Sequence, residues 1–122
     1  MTGRIFGDMR DLPLLQKVRR TETARERAKG LLGSSCLDVG EGLLIVPCNS
    51  VHTFFMKYPI DVVFLDHRSR ILKIVENLKP YRYAGALRAK GALELQAGAA
   101  IRLGLQPGDS LLWENENVDD PV

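Results

Sequence analysis

The sequence contains no long hydrophobic run, no large excess of charge and no secretion signal. No stretch approaches the roughly 20 apolar residues of a membrane-spanning helix, so we expect no transmembrane segment. The first thirty residues lack an apolar core and are interrupted by charged residues and by Pro13, which is unlike a secretory leader. The net charge of +2 is too small to indicate nucleic-acid binding. We therefore expect a cytoplasmic protein.

Residue patterns that indicate a metal or cofactor are also missing. Cys36 and Cys48 lie twelve residues apart, whereas structural zinc sites use four ligands and usually closely spaced cysteine pairs. The segment RLGLQPGD, residues 102–109, lacks the Gly-Lys-Ser/Thr ending of a phosphate-binding loop. We predict no metal site and no cofactor. The cysteines are expected to be buried reduced thiols, with a disulfide as the alternative because they flank one predicted strand.

The length and composition predict a single domain over residues 1–122. The chain is 45% hydrophobic and 26% charged, as is typical of a globular domain with one core. We place this core at about residues 12–113. Residues 2–9 are predicted to be a short strand or a loose, flexible arm, and the acidic C-terminal tail is predicted to be disordered.

The most apolar and aromatic stretch is VHTFFMKYPIDVVFLD, residues 51–66. Neither face of its first half is cleanly polar, which predicts a strand that is covered on both sides and ends at Pro59. The apolar run 62–65 is typical of an interior strand. The polar turn 66–70, followed by the apolar positions of 71–75, predicts a hairpin with a loop of about five residues.

The rest of the chain predicts short strands and one or two short helices. Thr23 and Glu26 have the spacing of a capping box, which begins an amphipathic helix of about ten residues that ends at Gly33. Further elements are strands at 12–18, 43–46, 92–95 and 110–113, and a short helix at 98–103. Pro13 places the strand at 12–18 on an edge. Because strands and helices do not alternate, we predict a mainly β fold, a small antiparallel β-barrel or sandwich.

Several blocks together resemble the domain-of-unknown-function family 192 of bacteria and archaea. The blocks are AKGLLG, EGLLIV, FFMK, PIDVVFLD, ILKIVENLKP, LELQAG and RLGLQPGD. The resemblance covers roughly residues 20–113 and implies a compact mainly-β domain with no established activity. The chain departs from the family pattern at Phe55, where many members have Trp, and at Tyr58, where many have a longer polar insert. Many relatives also carry a secretion signal.

Polar residues inside the apolar stretches are the first candidates for a site. His52 and Lys57 would point to opposite faces of an extended strand, so a bulge would be needed to bring them together with Asp61. The alternative is structural: a buried histidine, a rim lysine and an aspartate that caps a turn. Glu94 alternates with leucines and is expected to be exposed, or paired with Lys57 or Arg102.

The second group lies in a predicted loop at 76–90. Tyr81 and Tyr83 alternate with basic residues, including Arg82, and such a loop can stack on sugars or bases, or can close one end of a barrel. Our first hypothesis is a non-enzymatic module that binds an unknown small ligand or a protein partner. Its candidate binding residues are His52, Lys57, Asp61, Tyr81, Arg82 and Glu94.

Two other functions remain open at this point. A small hydrolase or lyase would use His52 with Asp61 or Glu94 in one pocket. An interaction subunit would dock through the basic helix near the N-terminus.

Overall fold

The computed structural model of the chain describes residues 1–8, 11–34 and 36–116. Within these residues the chain forms nine strands and two short helices. In chain order they are β1 (Thr2–Gly7), β2 (Leu15–Arg20), α1 (Ala24–Lys29), β3 (Glu41–Ile45), β4 (Ser50–His52), β5 (Ile60–Leu65), β6 (Ile71–Leu78), β7 (Tyr83–Gly85), β8 (Gly91–Gln96), α2 (Ala99–Arg102) and β9 (Leu111–Asn115). The mainly β fold predicted from the sequence is confirmed.

Seven strands form one sheet in the order β6-β5-β8-β3-β2-β1-β9, and β4 pairs with β7 in a separate sheet. Neighbouring strands are antiparallel, except that β2 and β3 are parallel. The large sheet curls until its edge strands meet at a bridge between Arg70 and Ser110. There the amide of Leu111 donates to the carbonyl of Ser69 at 2.9 Å. The architecture is a partly open β-barrel, one of the two predicted forms.

The curled sheet carries a core on each face, because successive residues of a strand point to opposite sides. The core on the enclosed face includes Ile5, Leu15, Leu44, Val63, Leu93, Leu95 and Leu111. The core on the outer face, which packs against the region of α1 and the β4–β7 sheet, includes Leu31, Leu43, Ile45, Val62, Phe64 and Ala84. All six residues of β5 are buried, which confirms the predicted interior strand.

Local signals in the sequence are confirmed at two places, the hairpin loop and the capping box. The loop between β5 and β6 has the five residues 66–70. The Thr23 hydroxyl accepts from the Glu26 amide at 3.1 Å, and the Glu26 carboxylate accepts from the Thr23 amide at 3.0 Å, which completes the capping box. In the turn at 106–109, the Asp109 carboxylate accepts from the Gln106 amide at 2.9 Å.

Other boundaries were predicted wrongly. Helix α1 has six residues rather than ten and ends at Gly30, whose φ of 52° is left-handed, so the stop comes three residues before Gly33. Strand β2 pairs with both β1 and β3, so it is not the predicted edge strand. Pro13 precedes the strand and therefore does not restrict its pairing. Of the two alternatives for the N-terminal residues, the short strand is confirmed: residues 2–7 are β1 within the sheet, and the flexible arm is wrong. Met9 and the tail beyond residue 116 lie outside the described residues.

The cysteines also differ from the expectation. Both are free thiols, but Cys36 is exposed and only Cys48 is partly buried. Cys36 lies in the connection between α1 and β3 but is not among the residues of either core, so the prediction of two buried thiols is wrong for it.

The first half of the apolar stretch forms a strand of only three residues, β4. After His52 the chain turns, and Phe55 adopts a left-handed φ of 67° with 70% of its surface exposed. The predicted long strand covered on both sides is therefore wrong. The period-two reading failed because the aromatic residues here belong to a loop and not to a pleated sheet.

Thr53 explains the position of that loop. Its side chain is fully buried, and its hydroxyl donates to the carbonyl of Lys79 at 2.6 Å and accepts from the amide of Arg82 at 2.8 Å. Its backbone amide donates to the Arg82 carbonyl at 2.9 Å, and its carbonyl accepts from the Tyr81 amide at 3.0 Å. One residue thus connects the loop at 53–59 to the loop at 79–82.

Asp61 is the second buried polar anchor, and it is fully buried on the enclosed side of the sheet, opposite Leu95 of β8. Its Oδ1 accepts from the backbone amide of Asn77 at 2.9 Å. Asn77 belongs to β6 and has a left-handed φ of 51°. Its Oδ2 accepts from the amides of Gly98 at 3.1 Å and Ala100 at 2.9 Å at the start of α2. The carboxylate therefore joins β5, β6 and α2.

We expect Asp61→Asn to destabilise the fold by about 2 to 4 kcal/mol, because an amide NH2 would face a buried backbone donor that has no other partner. Urea denaturation measures the loss. The matched control is Asp109→Asn at the partly exposed turn, where water can replace the contact and the cost is below about 1 kcal/mol. Equal losses for the two variants would contradict the anchoring role of Asp61.

Candidate functional site

A cavity of about 220 Å³ lies on the outer face of the sheet, beside helix α1 and strand β4. We call it the Glu94 pocket. Its walls are the end of α1 and the chain after it (residues 27–32), together with Ile45, Cys48, Ser50, Val51, His52, Phe54, Met56 and Glu94.

Glu94 lies in the middle of strand β8, paired with Leu43 of β3 and Val62 of β5. Leu93 and Leu95 belong to the enclosed core, so the alternation of a strand directs Glu94 to the outer face, towards α1. The residue is only 3% exposed. The prediction that Glu94 is exposed is therefore wrong, because the end of α1 and the chain after it cover this part of the outer face.

The carboxyl group of Glu94 is not fully satisfied by the protein. Its Oε1 is buried and has no hydrogen-bond partner, and none of the ion pairs found among the described residues includes it. The expected pairing with Lys57 or Arg102 is thus not found. Gly30 lies above this oxygen: a Cβ added to Gly30 would be 3.8 Å from Oε1. The glycine at the end of α1 therefore leaves room beside the carboxyl group.

Burial raises the pKa of Glu94 from 4.5 to about 7. Desolvation is the only cause of this shift, since the charged form loses water without gaining a compensating cation. At neutral pH the group is consequently divided between its protonated and ionised forms, unlike an ordinary surface glutamate.

Two other titratable side chains of the pocket have defined contacts. The Cys48 thiol donates to the Ser50 carbonyl at 3.1 Å, and burial raises the pKa of Cys48. His52 Nδ1 accepts from the Phe54 amide at 3.3 Å, so in the neutral ring the proton resides on Nε2. Arg27 and Lys29 contribute positive charge from α1.

An exposed group of rings borders the pocket, and we call His52, Phe54, Phe55 and Tyr81 the aromatic rim. The ring centroids of His52 and Phe54 are 5.0 Å apart, those of Phe54 and Tyr81 6.5 Å, and those of Phe55 and Tyr81 5.8 Å. Phe55 and Tyr81 have left-handed φ values of 67° and 62°, a backbone conformation that costs about 1 to 3 kcal/mol per residue. The hydrogen bonds of Thr53 hold both loops in this arrangement.

The structure brings some of the predicted site residues together. His52 and Glu94 line the Glu94 pocket, and Tyr81 stands on the rim beside it. Lys57 lines a neighbouring cavity of about 310 Å³, which shares Leu31 and Met56 with the first.

The side chains of Arg82 and Asp61 do not line the Glu94 pocket but hydrogen-bond to the backbone. The guanidinium of Arg82 donates to the carbonyls of Pro80 at 3.5 Å and Tyr81 at 3.3 Å, within its own loop. Asp61 faces the opposite side of the sheet from Glu94 and hydrogen-bonds only to the backbone. The pairing of His52 with Asp61 in one pocket is therefore wrong, because Asp61 and Glu94 occupy opposite faces.

Reasoning from the sequence missed Arg27, Phe54 and Met56 as wall residues. The FFMK block signalled the last two, but a strand interpretation directed them into a core. Within the part of the chain that the structure describes, no three His, Cys, Asp or Glu side chains are close enough to hold a metal ion.

The fold and the pocket define a partly open β-barrel protein with a largely apolar pocket outside the barrel that contains one buried carboxyl group. A family profile for DUF192, Uncharacterized ACR, matches residues 9–113, and the chain belongs to this family. The resemblance inferred from the sequence blocks is therefore confirmed. The family description names no activity.

Relatives of known sequence match about half of the chain. The UPF0127 protein PH1112 of Pyrococcus horikoshii is 37% identical over 65 residues, which is 52% of this chain and 56% of that protein. A UPF0127 protein of Thermococcus sibiricus is 35% identical over 68 residues, 55% of this chain and 44% of that protein. The chain thus spans about half the length of these curated relatives.

Two crystal structures share the fold. A protein of unknown function from Novosphingobium aromaticivorans has a TM-score of 0.78 and 26% identity, covering 92% of this chain and 85% of its own. A protein from Sinorhizobium meliloti 1021, described as a candidate transcription regulator, has a TM-score of 0.81 and 24% identity, covering 93% and 94%. Neither helix of the described residues is long and apolar enough to cross a membrane.

The raised pKa of Glu94 predicts a pH-dependent stability. Between the unfolded value of 4.5 and the folded value of about 7 the native state binds the extra proton, so the free energy of unfolding falls as the pH rises through this window. We expect wild type to lose about 2 to 3 kcal/mol relative to Glu94→Gln between pH 5 and pH 8. Urea denaturation at several pH values checks this, and parallel profiles for the two proteins would contradict it.

Proposed function

We propose that this protein is a non-enzymatic binding module for a small ligand, and that the ligand occupies the Glu94 pocket against the aromatic rim. The observation that carries the proposal is the buried Oε1 of Glu94, which has no partner in the protein. A buried acceptor without a hydrogen bond costs about 1 to 3 kcal/mol. A ligand that donates to this oxygen would recover that free energy, which gives the pocket a built-in preference for an occupant.

The surroundings of Glu94 support a ligand with an apolar body. Ile45, Val51 and Met56 supply apolar wall, and the rings of His52 and Phe54 supply flat surface at the opening. Concave sites with mostly apolar walls and a few polar groups are the usual form of small-molecule sites. The strained backbone of Phe55 and Tyr81 supports the same proposal, because such strain concentrates at ligand sites.

Of the candidate residues, we propose direct roles for Glu94 as hydrogen-bond acceptor and for His52 and Tyr81 as ring surface. Lys57, in the adjoining cavity, would contact only a ligand that extends beyond the Glu94 pocket. Arg82 would position the loop that carries Tyr81, and Asp61 would support the fold from the other face. The free thiols of Cys36 and Cys48 are consistent with the reducing cytoplasm that we propose as the location.

Binding can be tested by NMR with a set of small soluble alcohols, amides, amines and carboxylic acids. We expect compounds that donate a hydrogen bond to shift the backbone amide signals of Gly30, Val51 and Leu95, and Glu94→Gln to weaken their binding. The control Glu76→Gln changes an exposed carboxylate on β6 and should leave binding unaltered. Shifts confined to other surfaces, or no shifts with any compound, would contradict the proposal.

Acid–base catalysis by Glu94 and His52 is a second candidate function. It is favoured by the pKa of about 7 of Glu94, because a general acid or base works best near the ambient pH. This function would be a hydrolase or lyase activity on a substrate that fits the same pocket.

Hydrolysis of 4-nitrophenyl acetate provides a first measurement of this activity. If Glu94 acts as the base, the rate should rise with pH around 7, and both Glu94→Gln and His52→Ala should remove that rise. A rate that is the same for wild type and both variants at every pH would eliminate the candidate.

A further inference from the structure

Oε1 of Glu94 lacks a hydrogen-bond partner, and the carboxyl group is in none of the ion pairs found among the described residues. The side chains that face the pocket from neighbouring elements and can carry charge are Arg27, Lys29, Cys48 and His52. The charge of Arg27 reaches Cys48, where it lowers the pKa of the thiol. None of these four groups contributes to the pKa shift of Glu94, which burial alone produces.

The charge of Glu94 also acts on a neighbouring side chain. Tyr58 lies in the adjoining cavity, where burial, then Cys36, and then the charge of Glu94 raise the pKa of its phenol, so Tyr58 stays neutral and adds no charge of its own. When Glu94 is ionised, its charge is not paired in any of the ion pairs found among the described residues. A neutral donor would satisfy the hydrogen bond but would leave this charge uncompensated.

From this arrangement we infer that the pocket takes a protonated amino group carried on a compact apolar or aromatic body. The inference rests on the proposed binding function and names its ligand class. The ammonium group would donate to Oε1 of Glu94 beside Gly30 and would supply the missing positive charge. The carbon body would pack on Val51 and Met56.

The aromatic rim fits the same ligand class. Phe54 lines the pocket, and its ring and that of Tyr81 are in contact at the opening. The face of an aromatic ring attracts a cation within about 6 Å. At Oε1, ring surface together with an ionised carboxylate thus favours an ammonium group. Arg27 and Lys29 bring positive charge to the α1 wall of the pocket, but neither forms an ion pair with Glu94 among the described residues.

Benzylamine is the probe for this inference, and benzyl alcohol is its uncharged match in shape. Because the amine requires ionised Glu94, its dissociation constant should fall about 30-fold between pH 5.5 and pH 8 if the pKa is near 7. Benzyl alcohol should bind more weakly than the amine at pH 8 and with little change over the same range. Calorimetry gives the constants, and shifts of the Gly30 and Val51 amides in NMR spectra confirm the location.

The variants add a second test. Glu94→Gln should abolish the preference for benzylamine over benzyl alcohol, whereas the exposed control Glu76→Gln should retain it. The pH dependence of wild type needs no variant, so it remains decisive even if Glu94→Gln does not fold.

If the alcohol binds at the pocket as tightly as the amine at pH 8, the amine inference is wrong while the proposed binding function stands. If neither compound shifts the pocket amides, the amine inference is also wrong, and the wider compound set tests the binding function separately.

The source of the amine can be distinguished in the same experiment. Nα-acetyl-lysine N-methylamide carries the side chain that a partner protein would present. Tighter binding of this compound than of benzylamine would assign the pocket to a lysine of a partner, and the reverse order would assign it to a free small amine. Both orders support the ammonium group as the feature that is recognised.

Discussion

The burial of the central strands on both faces is the constraint on which the rest of the structure depends. Strands β3, β5 and β8 lie inside the large sheet with a core on either side. A carboxyl group buried on these strands must accept hydrogen bonds from the protein, because otherwise its burial destabilises the fold. Asp61 and Glu94 are the two buried carboxyl groups of the described residues, and they face opposite sides. Asp61 has three backbone donors, whereas Glu94 has an oxygen without any. This difference separates a structural carboxylate from a candidate binding group.

A second polar residue, Thr53, determines the shape of the pocket opening. Its hydroxyl and backbone connect the loop at 53–59 to the loop at 79–82. Through these contacts Phe55 and Tyr81 keep an unfavourable backbone conformation and their rings remain exposed. Water-exposed rings contribute little to the core, so the free energy that maintains them comes from buried hydrogen bonds elsewhere. The rigid sheet and the strained loops therefore have different roles: the first holds Glu94, and the second presents the rings.

Membership of the DUF192 family accounts for the fold but leaves the function open, because one fold can carry many unrelated sites. Function must instead be argued from the side chains of this chain. Phe55 illustrates the point, since its ring is more exposed than those of Phe54 and Tyr81 and belongs to neither core of the sheet. Tyr58 borders the cavity next to the Glu94 pocket.

The sequence by itself determined the interior strand β5, the five-residue hairpin loop, the capping box of α1 and the family, because these depend on local patterns of apolar, turn and capping residues. It also identified His52, Tyr81 and Glu94 as polar or aromatic residues in unusual positions. Only the tertiary structure decided that Glu94 is buried beside α1, that Asp61 faces the other side, and that residues 53–59 form a loop. These features depend on segments far apart in the chain that lie side by side, such as Thr53 with Arg82 and residues 27–32 with Glu94. Local residue patterns carry no information about which distant segment covers a given face.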